Sequence, residues 1–144
     1  MSTIRPLALA LLKRKDGRFL LHEAYDRVKD EKFYRPLGGG IEFGEPAKEA
    51  LEREFLEEIK KEIKVSSKKY VFENIFTFEG VKGHQIILIF ESSFTKETDY
   101  NQEYEIDESG KIVGKAVWRN LAEIENEEAH LYPLGLNKIF QAQV

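Results

Sequence analysis

The chain has 144 residues, of which 33% are charged and 42% are hydrophobic, and its formal net charge at pH 7 is −4. This is the composition of a globular protein, and the length predicts one domain over residues 1–144 with a sizeable core. The absence of cysteine excludes disulfides, thiol catalysis and cysteine-ligated zinc, and the negative charge argues against general binding to nucleic acids, which requires a basic face.

The amino-terminal residues 1–6 read Met-Ser-Thr-Ile-Arg-Pro. They lack the basic start, the long apolar core and the small-residue cleavage site of a secretory signal peptide. No apolar run along the chain approaches the length of a membrane span. We therefore expect a cytoplasmic protein that does not bind membranes.

The first part of the chain predicts short strands. The apolar run at residues 7–12 has the length of a buried strand. Asp16 and Gly17 predict a tight turn, after which residues 18–23 return as the partner strand. Residues 26–32 are polar and predict a loop. Residues 33–37 predict a short extended segment, because a residue before proline avoids the helical region.

The second half of the chain predicts more strands and two helices. Residues 70–78 and 85–94 have strand-like patterns and are separated by a turn at residues 80–83. The acidic stretch 95–110 predicts a mobile loop. Three shorter elements follow, and they are a strand at 111–118, a short helix at 121–124 and a closing helix at 134–140. With the helix described next, this order predicts an α/β protein with a mixed β-sheet.

Residues 38–58, which begin with three glycines and end in a glutamate-rich run, are the most informative segment. A helix is predicted to begin at Pro46, because proline suits the first helical position. Ala47, Ala50, Leu51, Phe55 and Ile59 follow helical spacing and form an apolar stripe.

The glutamates of the same helix predict a cation site. Glu54, Glu57 and Glu58 stand at i, i+3 and i+4, which places three carboxylates on one patch. Such carboxylates repel one another unless a cation is bound, and a hard divalent ion such as Mg²⁺ or Mn²⁺ fits oxygen ligands.

A solvated acidic face is the competing interpretation of this patch. Lys60, Lys61 and Lys64 could offset the acids, but only Lys61 lies four residues from Glu57. The preceding glycine run also allows the main chain to approach a ligand closely. Because the glycines and the acids occur at a fixed distance, we favour a site over a solvated face.

The order and spacing of these residues closely resemble the signature of the Nudix hydrolases, G-x5-E-x7-R-E-U-x-E-E-x-G-U. Gly39 is followed after five residues by Glu45, and after seven more by the run that starts at Arg53. The resemblance spans Gly39 to Lys61, and Lys60 and Lys61 replace its final glycine and apolar residue. Because lysine adopts a left-handed conformation only at some cost, we expect the helix to continue past Lys60 or to end without a glycine-type cap.

The resemblance implies a Nudix-type α/β/α sandwich with a mixed β-sheet, over about residues 4–140. It also implies hydrolysis of a nucleoside diphosphate linked to another moiety, with Mg²⁺ or Mn²⁺ as cofactor. Glu45 matches a glutamate with a mainly structural role. The residues implied for the site are Glu54, Glu57 and Arg53 in catalysis, Gly39, Gly40 and Arg35 in substrate binding, and the Gly38 carbonyl, Glu54, Glu57 and Glu58 at the metal.

Several points stay open at the level of the sequence. An acid outside the helix can complete such a site, and Glu103, Glu105, Asp107 and Glu108 are equal candidates. We expect His22 to be structural and Trp118 to lie in the core. The substrate can be a nucleoside triphosphate, which the small size weakly favours, a nucleotide sugar or a dinucleotide. The general base and a homodimer also stay open.

Two rival functions are weighed against the hydrolase. The first is a Nudix-like module that senses a nucleotide without hydrolysing it, although such modules usually lose the carboxylates that this chain retains. The second is a structural calcium-binding protein. It is disfavoured because the acids lie on a helix, whereas an EF-hand places them in a loop.

Overall fold

The structure, a computed structural model, describes residues 2–143 and places nine strands of this part of the chain in two sheets. The first sheet has the order β4-β1-β6-β5 and the second the order β7-β8-β2-β3-β9. The strands are β1 Ile4–Leu12, β2 Phe19–Asp26, β3 Glu31–Pro36, β4 Gly38–Gly40, β5 Ile63–Phe78, β6 Val81–Phe94, β7 Tyr104–Glu108, β8 Lys111–Arg119 and β9 His130–Leu131. The helices are α1 Ala47–Ile59, α2 Leu121–Asn126 and α3 Leu136–Ala142, with a 3₁₀ helix at Glu97–Asn101.

Both sheets are mixed. In the first, β1 runs parallel to β6 and antiparallel to β4, and β5 and β6 form a long antiparallel hairpin. In the second, β2 is antiparallel to β3 and β8, whereas β9 is parallel to β3. The predicted fold class, an α/β/α sandwich with mixed sheet structure, is confirmed. Within residues 2–143, no helix is both long and apolar enough to cross a bilayer.

Strand β1 supplies both hydrophobic cores. Every residue from Leu7 to Leu12 is at most 4% exposed. Ala8, Ala10 and Leu12 pack toward α1, whereas the alternate leucines pack toward α3. A strand that is buried on both faces has an unbroken apolar sequence, which explains why this run showed no alternation.

Helix α1 buries the predicted stripe against this sheet. Ala50, Leu51, Phe55 and Ile59 are buried, and the Phe55 ring lies edge-on to Phe94 with 6.4 Å between centroids. The predicted start is wrong by one residue. Pro46 has an extended ψ of 142° and precedes the first helical residue, Ala47.

The predicted end of α1 is wrong. The helix ends at Ile59, and Lys60 takes the left-handed conformation, with φ 61° and ψ 35°. The Lys60 ammonium group donates a hydrogen bond to the Glu57 carbonyl and lies 3.4 Å from a carboxylate oxygen of Asp107. These contacts offset part of the roughly 1–2 kcal/mol that a left-handed residue costs.

Two other predictions are wrong. Strands β1 and β2 do not form a hairpin, and a single bridge between Lys13 and Phe19 connects them. The reason is that β4 and β6 already occupy both edges of β1, so β2 pairs in the second sheet. The acidic stretch 95–110 is not a plain loop, because it contains the 3₁₀ helix and β7 and anchors itself through the buried Ile106.

Three boundaries also differ from the prediction. Strand β5 begins at Ile63 rather than at residue 70, and β6 already begins at Val81. The turn that joins them is therefore Glu79–Gly80, where both residues have positive φ. In the predicted loop 26–32, β3 begins at Glu31.

Candidate active site

A cleft of about 960 Å³ opens between the β2–β3 hairpin, the β5–β6 hairpin and the glycine strand β4. Three carboxylates line one part of it, those of Glu54, Glu58 and Glu108. Phe33 and Arg35 also line it, and they stand two residues apart on β3, on the same face. The cleft therefore combines acidic, basic and aromatic groups.

The glycines of β4 are required by close contacts. A Cβ atom on Gly38 would lie 2.1 Å from the Ala8 carbonyl oxygen, and Gly38 has a φ of 143°, which favours glycine. A Cβ atom on Gly39 would lie 2.5–2.8 Å from the carboxylate atoms of Glu54. The glycine strand and the glutamate of α1 are thus in direct contact, which gives the fixed spacing in the sequence a physical reason.

Arg53 joins three parts of this region. Its guanidinium donates to both carboxylate oxygens of Glu45, at 2.8 and 3.0 Å, and to the Gly40 carbonyl at 3.1 Å. It also donates to Glu54 at 3.1 Å and to Glu57 at 3.3 Å. The hydrogen bonds from Arg53 hold the pKa of Glu45 below its ordinary value. Arg53 therefore fixes the loop before α1, the glycine strand and two helix carboxylates relative to one another.

The three glutamates of the predicted cluster differ in environment. The Glu57 side chain is 57% exposed and does not line the cleft, whereas that of Glu54 is 16% exposed and does. Glu58 is only 5% exposed, and its Oε1 atom is buried with no hydrogen-bond partner among residues 2–143. Sequence spacing predicted one patch, but the structure brings two glutamates into the cleft and leaves Glu57 at its outer side, held by Arg53.

Burial changes the protonation of the two inner glutamates. The pKa of Glu58 is raised to about 8, mainly by desolvation and to a smaller extent by the charges of Glu54 and Glu108, whereas Arg35 acts in the opposite direction. Desolvation also raises the pKa of Glu54. A buried, charged carboxylate without a partner is unfavourable. Binding of a cation or a proton by these side chains is therefore favoured.

Arg35 is one of the basic residues that line the same cleft. It is half-buried, and desolvation lowers its pKa, while Glu58 and Glu108 act in the opposite direction. In the described part of the chain no carboxylate oxygen lies within 4.0 Å of it, and its side chain makes one hydrogen bond, to the Pro36 carbonyl at 3.4 Å. Most of the donors of its guanidinium group therefore stay available to a ligand.

Among the four acids left open by the sequence, Glu108 is the one that lines the cleft. Asp107 turns away and accepts from the Gly110 amide at 2.7 Å, and Glu103 accepts from the Trp118 amide at 3.1 Å. The alternation of Tyr104 and Ile106 could have revealed the strand that carries Glu108. Its position beside α1 could not be read from that local pattern.

His22 also lines the cleft, although the sequence predicted a structural residue. Desolvation, with a contribution from Arg35, lowers its pKa to about 4, so it is neutral at pH 7. Its Nε2 atom is buried with no hydrogen-bond partner within residues 2–143. Trp118 is 3% exposed and belongs to the core, as predicted.

The donor chemistry of the site fits a hard divalent cation. Most of the available side-chain ligands are carboxylate oxygens, and within residues 2–143 the buried Oε1 atom of Glu58 has no hydrogen-bond partner. No three histidine, aspartate or glutamate side chains in the described residues are already grouped as a set of metal ligands. The hydrogen bonds from Arg53 to Glu54 and Glu57 explain part of this, because they turn both carboxylates toward the guanidinium.

Comparison with known proteins gives a consistent result. The chain is similar to a NUDIX hydrolase from Nitrosomonas europaea, with 20% identity, coverage of 95% of this chain and 86% of that chain, and a TM-score of 0.65. It is also similar to a MutT protein from Methanosarcina mazei Go1, with 17% identity, coverage of 98% and 93%, and a TM-score of 0.59. A comparison with curated proteins finds no match.

The structural similarity, at these identities, establishes the fold. The family follows from a separate comparison, in which the model of the NUDIX domain matches residues 3–136. Members of this family generally use divalent metal ions and act on small nucleotide derivatives. The chain therefore belongs to the NUDIX family and is a Nudix pyrophosphohydrolase.

Proposed function

We propose that this protein hydrolyses a nucleoside diphosphate linked to another moiety, with Mg²⁺ or Mn²⁺ as cofactor. The observation that carries the proposal is the buried Glu58 carboxylate, which shares one cleft with Glu54, Glu108 and Arg35 and has an oxygen without a hydrogen-bond partner among the described residues. A solvated acidic face would expose its carboxylates to water. Here desolvation of two of them favours a bound cation.

The proposed roles are those that the resemblance to the family implies, and the contacts described above support them. Glu54, Glu58 and the Gly38 carbonyl are the proposed metal ligands, and Glu57 would join them by exchanging its contact with Arg53 for the cation. A divalent ion would neutralise the phosphate oxygens and stabilise charge at the attacking and leaving groups. Glu54 and Glu57 are the proposed catalytic carboxylates, one of which takes the proton from the attacking water, and Arg53 keeps them oriented.

The rest of the cleft supports a substrate with an aromatic ring. Gly39, Gly40 and Arg35 line the part next to the carboxylates and would contact the phosphates. Phe33 packs edge-on against Phe78 and Tyr132, with 5.8 and 5.6 Å between ring centroids. Such rings can hold a nucleobase. A nucleoside triphosphate, a nucleotide sugar and a dinucleotide all remain candidates.

The test is a panel of these three substrate classes with Mg²⁺ or Mn²⁺, with phosphate products followed by ³¹P NMR. Glu54→Gln should lower kcat at least about 10²-fold, because a placed acid or base typically contributes that much. Glu52→Gln is the matched control, since Glu52 is exposed on the same helix and does not line the cleft.

The same experiment separates the hydrolase from the rival module. Binding of a nucleotide by the wild type without any product would favour a nucleotide sensor. Near-normal turnover in Glu54→Gln would refute the assignment of the catalytic carboxylate. A single domain over residues 1–144, a cytoplasmic location, a homodimer and the absence of stable nucleic-acid binding stay predictions.

A further inference from the structure

We propose that Arg5 and Arg35 together bind the phosphate groups of the substrate, as a clamp. We also propose that the absence of a side chain at Gly40 makes room for Arg5 in the cleft. This inference rests on the proposed function. It adds a binding residue from β1, outside the segment that carries the family signature, and it gives the third glycine of β4 a role.

Gly40 is the glycine that the signature does not explain. The pattern requires glycine at position 39 and allows any residue at position 40. The backbone does not require glycine either, because Gly40 is not among the residues with positive φ. A Cβ atom on Gly40 would lie 2.8 Å from Nη2 of Arg5 and 3.9 Å from its Cζ atom. The absence of a side chain at Gly40 therefore leaves room for the Nη2 end of Arg5 to lie against the backbone of β4.

The Arg5 side chain makes no hydrogen bond or ion pair in the part of the chain that the structure describes. It lies near the start of β1, opposite Gln85 of β6, and its side chain lines the cleft. Among residues 2–143 no carboxylate oxygen lies within 4.0 Å of its guanidinium, although 13 of the 26 acidic residues take part in arginine or lysine ion pairs elsewhere. A guanidinium that enters a cleft without an internal partner is available to an anionic ligand.

Arg35 provides the second half of the clamp. Arg5 and Arg35 line the same cleft, and the positive charge of Arg5 contributes to lowering the pKa of Arg35. Arg35 is also desolvated, and within residues 2–143 its side chain makes one hydrogen bond, to the Pro36 carbonyl at 3.4 Å. Two like charges in one cleft are stabilised by an anion between them, and arginine matches phosphate oxygens in a bidentate manner.

The position of the two arginines indicates where the phosphate chain of the substrate would run. Arg5 lies against Gly40, and the Glu54 carboxylate lies against the neighbouring Gly39, so Arg5 lies beside the carboxylates of the cleft. Phe33 lies two residues before Arg35 on the same face of β3. A phosphate chain that reaches from the carboxylates toward the aromatic rings would therefore pass the two arginines.

A double-mutant cycle tests the clamp. Arg5→Ala should raise KM roughly 10-fold with little change in kcat, because it removes contacts made equally in the ground and transition states. Gly40→Ala should have the same effect, since its methyl group displaces the end of the Arg5 side chain. The double variant should be no worse than Arg5→Ala. Lys64→Ala is the control, because it removes one exposed positive charge outside the cleft.

Binding of methylenediphosphonate with Mg²⁺, measured by calorimetry on the full chain, gives a readout that does not need hydrolysis. Arg5→Ala and Gly40→Ala should weaken binding roughly 10-fold, and Arg5→Lys should recover part of the loss. If the wild type binds this diphosphonate but hydrolyses no nucleotide, the proposed function fails and the clamp stands.

Two results would overturn the clamp while leaving the hydrolase in place. One is a wild type that hydrolyses nucleotides but does not bind the diphosphonate, or binds it as well as Arg5→Ala does. The other is a KM within twofold of wild type in both single variants. A further rise in KM when Gly40→Ala is added to Arg5→Ala would refute the idea that Gly40 acts by making room for Arg5.

Discussion

Replacement of Glu58 by glutamine should stabilise the metal-free protein, and the gain should grow with pH. Glu58 is 5% exposed, and burial raises its pKa to about 8 from 4.5. Between these values the folded protein holds a proton that the unfolded chain has lost. The contribution of Glu58 to the free energy of unfolding is therefore fully present below about pH 4.5 and is lost as the pH rises toward 8.

The magnitude follows from this pH interval. Each step of one pH unit within it lowers the free energy of unfolding by about 1.4 kcal/mol. The wild type should thus lose roughly 3 kcal/mol by pH 7 and about 5 kcal/mol above pH 8. Glutamine has the same shape and no charge to desolvate, so Glu58→Gln should not show this loss.

Urea unfolding in EDTA at pH 5, 7 and 9 measures the difference. We expect the two proteins to differ by less than about 1 kcal/mol at pH 5 and to diverge above it. Glu52→Gln, on the exposed side of the same helix, should follow the wild type. Saturating Mg²⁺ should stabilise the wild type and close the gap, because it binds the folded state. Parallel pH profiles of wild type and Glu58→Gln would refute the argument.

Three other substitutions test the packing around the site. Phe55→Ala should cost roughly 3–5 kcal/mol in denaturant unfolding, because the Phe55 ring is fully buried against Phe94; a loss below about 1 kcal/mol would contradict this packing. Lys60→Gly should raise stability by about 0.5–1 kcal/mol by relieving the left-handed backbone, whereas Lys60→Ala should not; equal effects of the two changes would argue against strain. Asp26→Asn should speed hydrogen exchange of the Glu79 amide roughly 10-fold, because Asp26 accepts a hydrogen bond from that amide at 3.0 Å and connects the two hairpins of the cleft. Unchanged exchange would show that this connection does not hold the hairpin.

The sequence by itself determined the helix and the family. The stripe of Ala50, Leu51, Phe55 and Ile59 has helical spacing, and all four residues are buried in α1. The fixed spacing of the glycines and the acids predicted that they share one site, and in the structure the Glu54 carboxylate lies against Gly39. These features are readable because a helix and its neighbouring turn relate residues that are close in sequence.

The end of α1 shows where such local reasoning fails. Propensity argued against a left-handed Lys60, but contacts with Glu57 and Asp107 favour it. The same limit applies to β2, because the sequence cannot tell that β4 and β6 already occupy the edges of β1. Intrinsic preferences of about 1 kcal/mol are readily overridden by tertiary contacts.

The chemistry of the cleft was decided by the tertiary structure. Glu57 and Glu58 are adjacent in sequence, yet one is exposed beside Arg53 and the other is buried near Arg35. Glu108 and Arg5 reach the same cleft from positions far along the chain. The pKa of a carboxylate depends on the solvent it has lost and on the charges around it. Both are set by residues that only folding brings together, so spacing along the chain identified the acids but not their environments.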